Sequence, residues 1–231
     1  LKKYVKVEAY KMINTIIFDM DGTVLNTLDD LTDSVNYVLR EFGMPPRNID
    51  EYRRFFGNGI RFAMECAVPE GTPASVIDEM LPVFKDCYNK HCLDKTGPYE
   101  GILPLMKSLK EKGYKMAIVS NKINSAVVEL NDRFFSEYVK VAVGERDGIK
   151  RKPDADMVFA ALDELQSTCE ESIYIGDSEV DLKTAQNAGL PCIAALWGFR
   201  DKEYLMKKGA KYFAETPEDV ERIIQINGEI K

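Results

Sequence analysis

Asp19 and Asp21 stand two residues apart in Asp19-Met20-Asp21-Gly22-Thr23, directly after the apolar run Ile16-Ile17-Phe18. A second acidic group, Asp177-Ser178-Glu179-Val180-Asp181, follows the apolar stretch 172–176. Between them lie Ser120-Asn121-Lys122 and Lys150-Arg151-Lys152-Pro153. Acids gathered in this way have little use in packing, and their repulsion is costly unless a cation is present. Asp19, Asp21, Asp177 and Asp181 carry −4 when all are ionised; a divalent metal and Lys152 bring the sum to −1. A proton held on one carboxyl then makes the group neutral before a phosphate arrives. A hard, oxygen-liking ion such as Mg²⁺ suits carboxylates completed by water and substrate phosphate. A nucleophile, a bridging cation and donors around the equatorial oxygens are the equipment of phosphoryl transfer.

These residues do such work only if the fold brings them together. The run 14–20 reads as a buried parallel strand that stops at Asp21-Gly22-Thr23. A helix follows, capped by Thr27, with Leu28, Leu31, Val35, Val38, Leu39 and Phe42 on one face. Gly43 and Pro45-Pro46 end it. Residues 49–56, a Gly57-Asn58-Gly59 turn and a helix over 60–67 come next. A longer helix begins at Pro73 behind a Thr72 cap, turning Val76, Ile77, Met80, Leu81, Phe84 and Tyr88 inward. No strand is evident from Leu28 to about Thr96.

After Pro98 helix and strand alternate. Helices over 102–112, 124–134, 154–165 and 179–188 interleave with strands over 115–120, 139–143, 172–176 and 191–196. The fold class is therefore α/β: a doubly wound, Rossmann-like parallel sheet with an all-helical cap inserted after its first strand. Ligands of open α/β sheets bind beyond the carboxyl ends of the strands, and there the four chemical segments fall.

The chain has 231 residues, enough for one to two domains at roughly 150 residues each. Forty-five per cent hydrophobic and 30% charged residues exclude disordered, collagen-like and coiled-coil chains. No apolar run approaches the ~20 residues that span a bilayer. The net charge of −7 argues against nucleic acid as a partner, though a local cation can still hold a small anionic substrate. Five scattered cysteines without a CxxC pair support neither a disulfide framework nor a zinc site, and read as reduced thiols of a cytoplasmic protein. Residues 1–11 are Lys-rich, lack a secretory apolar stretch, and read as a tag or upstream extension.

FDMDGT, SNK, a lysine before proline, and GDSEVD resemble, in order, the four motifs of the haloacid-dehalogenase-like phosphatases. The resemblance spans Met12 to the C-terminus, and the helical insert looks like that superfamily's small cap. Pro98-Tyr99-Glu100-Gly101, Gly57-Asn58-Gly59 and Trp197-Gly198-Phe199-Arg200 look most like its phosphoglycolate phosphatases. Ala155 departs from the second proline found in many relatives. The resemblance implies a core of 12–27 and 97–231 and a cap of 28–96. It implies that Asp19 is the nucleophile and Asp21 the general acid and base. Ser120 and Asn121 would hold the phosphoryl oxygens, and Lys152 would neutralise nucleophile and phosphate. Asp19, Asp177 and the Asp21 backbone carbonyl would bind Mg²⁺, with Asp181 a further ligand or just behind the metal. The partner would be a small phosphorylated metabolite, without nucleic acid or membrane, and the chain a monomer or homodimer.

Among the cap arginines, Arg61 beside the Gly57-Asn58-Gly59 turn is the candidate to bind a substrate carboxylate. His91, the one histidine, and Trp197 read as structural. A sugar-phosphate mutase would carry a histidine at the position of Leu31, which weakens that rival. A dehalogenase or phosphonate hydrolase would lack Asp21. Pyrophosphatase or nucleotidase activity shares the core motifs and stays open. A non-catalytic phosphate-binding protein would be expected to have lost Asp19, Asp21 or Asp177.

Overall fold

The structure is a computed structural model and describes residues 13–226, so the reading of residues 1–11 falls outside the described part. Strand β1 (Thr15–Phe18) is buried along its whole length. Ile16 and Phe18 face one side of the sheet and Ile17 the other, as alternation in a strand covered on both faces requires. Four parallel strands correspond to the remaining sequence-read ones: β4 (Lys115–Ile123), β5 (Val141–Glu145), β6 (Ser172–Gly176) and β7 (Cys192–Ala195). A further strand, β8 (Tyr212–Ala214), completes a six-stranded sheet in the order β5-β4-β1-β6-β7-β8. All its pairings are parallel, with Phe18 beside Ile118 on one flank and Ile175 on the other.

That order reverses direction at β1. The chain steps outward to β4 and β5 on one side and to β6, β7 and β8 on the other, which opens a crevice at the carboxyl ends of the central strands. Helices α5 (Ile102–Glu111), α6 (Asn124–Phe134) and α10 (Pro217–Ile226) cover one face, burying Leu105, Leu130 and Val220. Helices α7 (Asp156–Glu164) and α8 (Glu179–Ala188) cover the other with Val158, Leu162 and Ala185.

Between residues 27 and 96 the chain forms four helices: α1 (Leu28–Glu41), α2 (Ile49–Phe55), α3 (Gly59–Ala67) and α4 (Ala74–His91). They share a separate apolar cluster built on Val35, Val38, Tyr52, Met64, Met80 and Phe84. Entry and exit of this helical segment are tied by a short antiparallel ribbon, β2 (Leu25–Asn26) against β3 (Gly97–Pro98). Helix α4 starts one residue later than expected. Pro73 is the residue before its first turn, and the Thr72 hydroxyl donates instead to the Pro69 carbonyl at 2.7 Å. Thr27 precedes α1 without a side-chain capping bond.

Three boundaries moved for local reasons. β5 begins two residues after Val139, because the Val139 amide is taken by the Phe135 carbonyl in the turn that closes α6. β4 runs three residues beyond Ser120 through a register break between Val119 and Ile123. Asp154 belongs to a turn on the Arg151 carbonyl, so α7 starts at Asp156. No helix among the described residues is long and apolar enough to cross a membrane.

The central strand carries the packing of one face. Phe18→Ala is expected to lower unfolding stability by about 3–5 kcal/mol, measured by urea denaturation with an unchanged m-value.

Candidate active site

The loop after β1 is shaped by backbone contacts. The amides of Val24 and Leu25 both donate to the Met20 carbonyl, and Gly22 donates to Leu25. Gly22 has φ +85°, and a Cβ there would fall 2.4 Å from Asp177 Oδ2. Gly198, after β7, approaches the same residue; its Cβ would meet Asp177 Cβ at 2.3 Å and the Gly22 carbonyl oxygen at 2.4 Å. These two glycines let three strand ends close around one carboxylate. Asp177 Oδ1 accepts from the Thr23 hydroxyl at 3.3 Å and Oδ2 from the Phe199 amide at 2.6 Å. Trp197 fixes the same loop by donating Nε1 to the Thr23 carbonyl at 2.8 Å, the structural role expected of it.

Lys152 lies at the centre of the site and is 1% exposed. Its Nζ donates to Asp19 Oδ1 at 2.7 Å, Asp181 Oδ1 at 2.8 Å and the Tyr174 hydroxyl at 3.2 Å. An ammonium has three N–H groups, so its donors are all used. Asp181 begins α8 in a capping box: its Oδ2 accepts from the Ser178 hydroxyl and amide, while Oδ1 takes Lys152 and Tyr174. Sequence reading missed Tyr174. The signal was a tyrosine inside a fully buried strand, where its hydroxyl must find a partner.

Carboxylate oxygens of Asp19, Asp177 and Asp181 approach within 4.8 Å of one another, and all three residues are buried. Three carboxylates against one ammonium leave an excess of two negative charges. Burial and that imbalance together shift the proton affinities. Burial, then neighbouring Asp181, pushes the Asp19 carboxyl well above the usual range despite Lys152. Burial and Asp181 raise Asp177 to about 7, against the Phe199 amide and Arg200. Burial opposes the charge on Lys152, but Asp181 and Asp19 together hold its proton well above the ordinary range. A buried all-oxygen cluster with this surplus fits a divalent cation.

Asp21 is directed away from that triad. Its Oδ2 accepts from the Ser120 hydroxyl at 3.4 Å, and Lys122 Nζ stands 3.1 Å from its Oδ1. Lys122 also donates to the Tyr88 hydroxyl on α4 at 2.8 Å. The Asn121 side chain donates to the Lys152 carbonyl at 3.0 Å and the Gly57 carbonyl at 3.3 Å, so it braces the site from behind. A cavity of about 730 Å³ lies between the helical segment and the sheet edge. Asp19, Asp21, Ser120, Asn121, Lys122 and Lys152 line its core side, and Phe56, Leu81, Phe84 and Tyr88 its helical side.

Arg61 is not brought to this cavity. Its guanidinium pairs with Glu65 and Asp78 on the half-exposed outer side of α3, because those acids flank it at the surface. Arg200, which sequence reading left without a role, joins the two parts. It pairs with Glu179 at 2.9 Å and donates to the Arg53, Arg54 and Phe56 carbonyls at the end of α2. His91 is exposed and pairs with Asp94, away from the acids.

Fold and site together define a class. Residues 16–195 match the family model of the haloacid dehalogenase-like hydrolases, and the chain belongs to that family. A phosphoglycolate phosphatase of Rhodobacter capsulatus is 32% identical over 82% of this chain and 87% of its own. One from Mesorhizobium japonicum is 28% identical over 92% and 97%. A solved structure from Lactobacillus delbrueckii subsp. bulgaricus is 37% identical, with a TM-score of 0.88 over 92% of this chain and 98% of that one. The protein is a phosphatase of the haloacid-dehalogenase type, a type that works with a metal ion.

Gly198→Ala tests the close approach around Asp177. It is expected to cost at least about 2 kcal/mol of unfolding stability, whereas Gly97→Ala, with nothing within 4 Å of its Cβ, stays within about 0.5 kcal/mol.

Proposed function

We propose that this phosphatase hydrolyses phosphoglycolate or a similarly small phosphomonoester by way of a phosphoryl group carried on Asp19. The observation that carries the reading is the Asp19–Lys152 contact at the sheet's switch point, with Asp21 and Ser120 beside it in the cavity. Relatives that are phosphoglycolate phosphatases and cover most of this chain support the substrate. Five free thiols among the described residues fit a cytoplasmic setting.

In this reading the Asp19 carboxylate attacks phosphorus and the ester oxygen leaves with a proton from Asp21. Water then displaces the phosphoryl group from Asp19, giving its proton to Asp21 and restoring both carboxylates to their starting forms. Lys152, held by Asp181 and Tyr174, keeps Asp19 oriented and offsets charge on the incoming phosphate. The Ser120 hydroxyl and the backbone around Asn121 hold phosphoryl oxygens. Asp19, Asp177 and the Asp21 carbonyl would hold Mg²⁺, with Asp181 serving mainly to fix Lys152. Bound Mg²⁺ would supply charge neutralisation for nucleophile and phosphate.

A second reading, a pyrophosphate or nucleotide substrate, is favoured by the 730 Å³ cavity and by Arg146, Arg151 and Lys85 on its wall. Phosphate release across phosphoglycolate, sugar phosphates, nucleotides and pyrophosphate separates the two. Preference for phosphoglycolate is expected, and preference for nucleotides or pyrophosphate would replace it. Asp19→Asn should reduce turnover by about a thousand-fold or more.

The charge surplus also gives a pH dependence. A carboxyl raised in the folded state, as Asp177 is to about 7, makes the folded protein hold more protons than the unfolded chain between about pH 4 and 7. In EDTA the thermal midpoint should therefore fall as pH rises from 5 to 8. Added MgCl₂ should raise it more at pH 8 than at pH 5.5, where protons compete. An equal Mg²⁺ effect at both pH values would refute the site.

A further inference from the structure

Two lysines face the cavity from its core side, and their surroundings differ. Lys152 gives all three N–H groups to Asp19, Asp181 and Tyr174 and has none left for a ligand. Among the described residues, Lys122 makes one side-chain hydrogen bond, to the Tyr88 hydroxyl at 2.8 Å, and one ion contact, to Asp21 Oδ1 at 3.1 Å. Its side chain is 7% exposed and its ammonium stands 4.4 Å from the centre of the Tyr88 ring. A third N–H is thus available at the cavity wall, on a cation held in place from both the sheet and α4.

We infer that Lys122 binds the leaving group, taking a carboxylate carried next to the ester carbon of the substrate. This rests on the phosphatase reading in which Asp21 serves the ester oxygen. A general acid works within about 2.6–3.2 Å of the oxygen it protonates. A carboxylate one carbon further on places its own oxygens only about 3 Å from that ester oxygen. Such an oxygen falls within reach of an ammonium that is itself 3.1 Å from Asp21. Lys122 therefore takes the part that sequence reading gave to Arg61, whose guanidinium is held by Glu65 and Asp78 outside the cavity. The Asp21 carboxyl and the substrate carboxylate would share one ammonium, while the Tyr88 hydroxyl keeps it from swinging away.

The test compares two esters that differ only in that group, phosphoglycolate and 2-hydroxyethyl phosphate, in the Mg²⁺-loaded enzyme. Wild type should favour phosphoglycolate in kcat/KM. Lys122→Gln should cut the ratio of the two kcat/KM values about 10- to 100-fold, as loss of a charge-assisted hydrogen bond does. The loss should fall on KM for phosphoglycolate more than on kcat, and Lys122→Arg should restore part of the ratio. An unchanged ratio in Lys122→Gln, with both esters slowed alike, would overturn the inference and leave Lys122 as a positioning residue for Asp21. A wild type that does not distinguish the esters, while Asp19→Asn abolishes turnover of both, would overturn it and leave the phosphatase standing. No Asp19-dependent turnover of either ester would remove the reading beneath it as well. Should Lys122→Gln not melt cooperatively, product inhibition of wild type is the second measurement. Glycolate is expected to inhibit at least about ten-fold more tightly than ethylene glycol, and equal inhibition would overturn the inference.

Discussion

The ammonium of Lys152, buried among acids, is the interaction on which the rest of the site depends. It ties together the end of β1 through Asp19, the middle of β6 through Tyr174 and the first turn of α8 through Asp181. Each partner comes from a different segment, so one cation sets the distances between the elements that carry the acids. Burying a charge is costly unless it is paired and hydrogen-bonded, and here every N–H has an acceptor. Neutrality is still incomplete, since Asp19, Asp177 and Asp181 outnumber the lysine. Burial and this remaining negative charge raise the proton affinities of Asp19 and Asp177; a divalent cation would offset the charge and leave the site able to accept a phosphate dianion.

The helical segment meets this edge through different chemistry. Its own apolar cluster holds α1 to α4 together, with Phe199 the residue from beyond β7 that packs into it. Among the described residues its polar links to the sheet edge are few: Arg200 to the carbonyls ending α2, Arg53 to the Gly198 carbonyl, Asn121 to the Gly57 carbonyl, and Lys122 to the Tyr88 hydroxyl. Arg200 contributes twice, because the carbonyls of a helix end carry partial negative charge and lack partners within the helix. The β2–β3 ribbon is the covalent crossing, only two residues wide. A segment with its own core and a handful of polar contacts suits a cover that must admit substrate and then exclude water.

What the sequence made legible follows from which signals are local. The strands β1 and β6 and helices α6 and α8 were readable because apolar runs or 3.6-residue spacing sit next to clear turn residues. Asp19, Asp21, Ser120, Asn121, Lys152, Asp177 and Asp181 were readable because strand-end acids, a hydroxyl and a lysine in that order resemble one family. Helix α9 (Lys202–Lys207) and β8 escaped because they are short; α10 escaped although Pro217 at its start, acids in its first turn and Val220, Ile223 and Ile224 on one face announce it locally. Arg61 failed for a related reason. Nearness to the Gly57-Asn58-Gly59 turn in sequence says nothing of Glu65 and Asp78, one turn on and one helix away. The Lys122–Tyr88 pair, Tyr174 and Arg200 act across 34, 7 to 22 and about 145 residues of chain, and only the folded arrangement pairs them.

Two positions beside the third acid exclude side chains altogether. Gly22 and Gly198 both lie directly against Asp177, and neither site has room for a Cβ. Backbone therefore packs directly against a carboxylate whose two oxygens already accept from Thr23 and Phe199. Rotation of that carboxylate would break both bonds and drive it into main chain. The acid is thus fixed before any cation binds, and the cost of holding it charged is spread over the fold instead of falling at the moment of reaction. The same tightness explains why the motif after β1 needs glycine at its fourth position: at φ +85° and 2.4 Å from Asp177 Oδ2, a larger residue would separate the first strand from the third acid of the site.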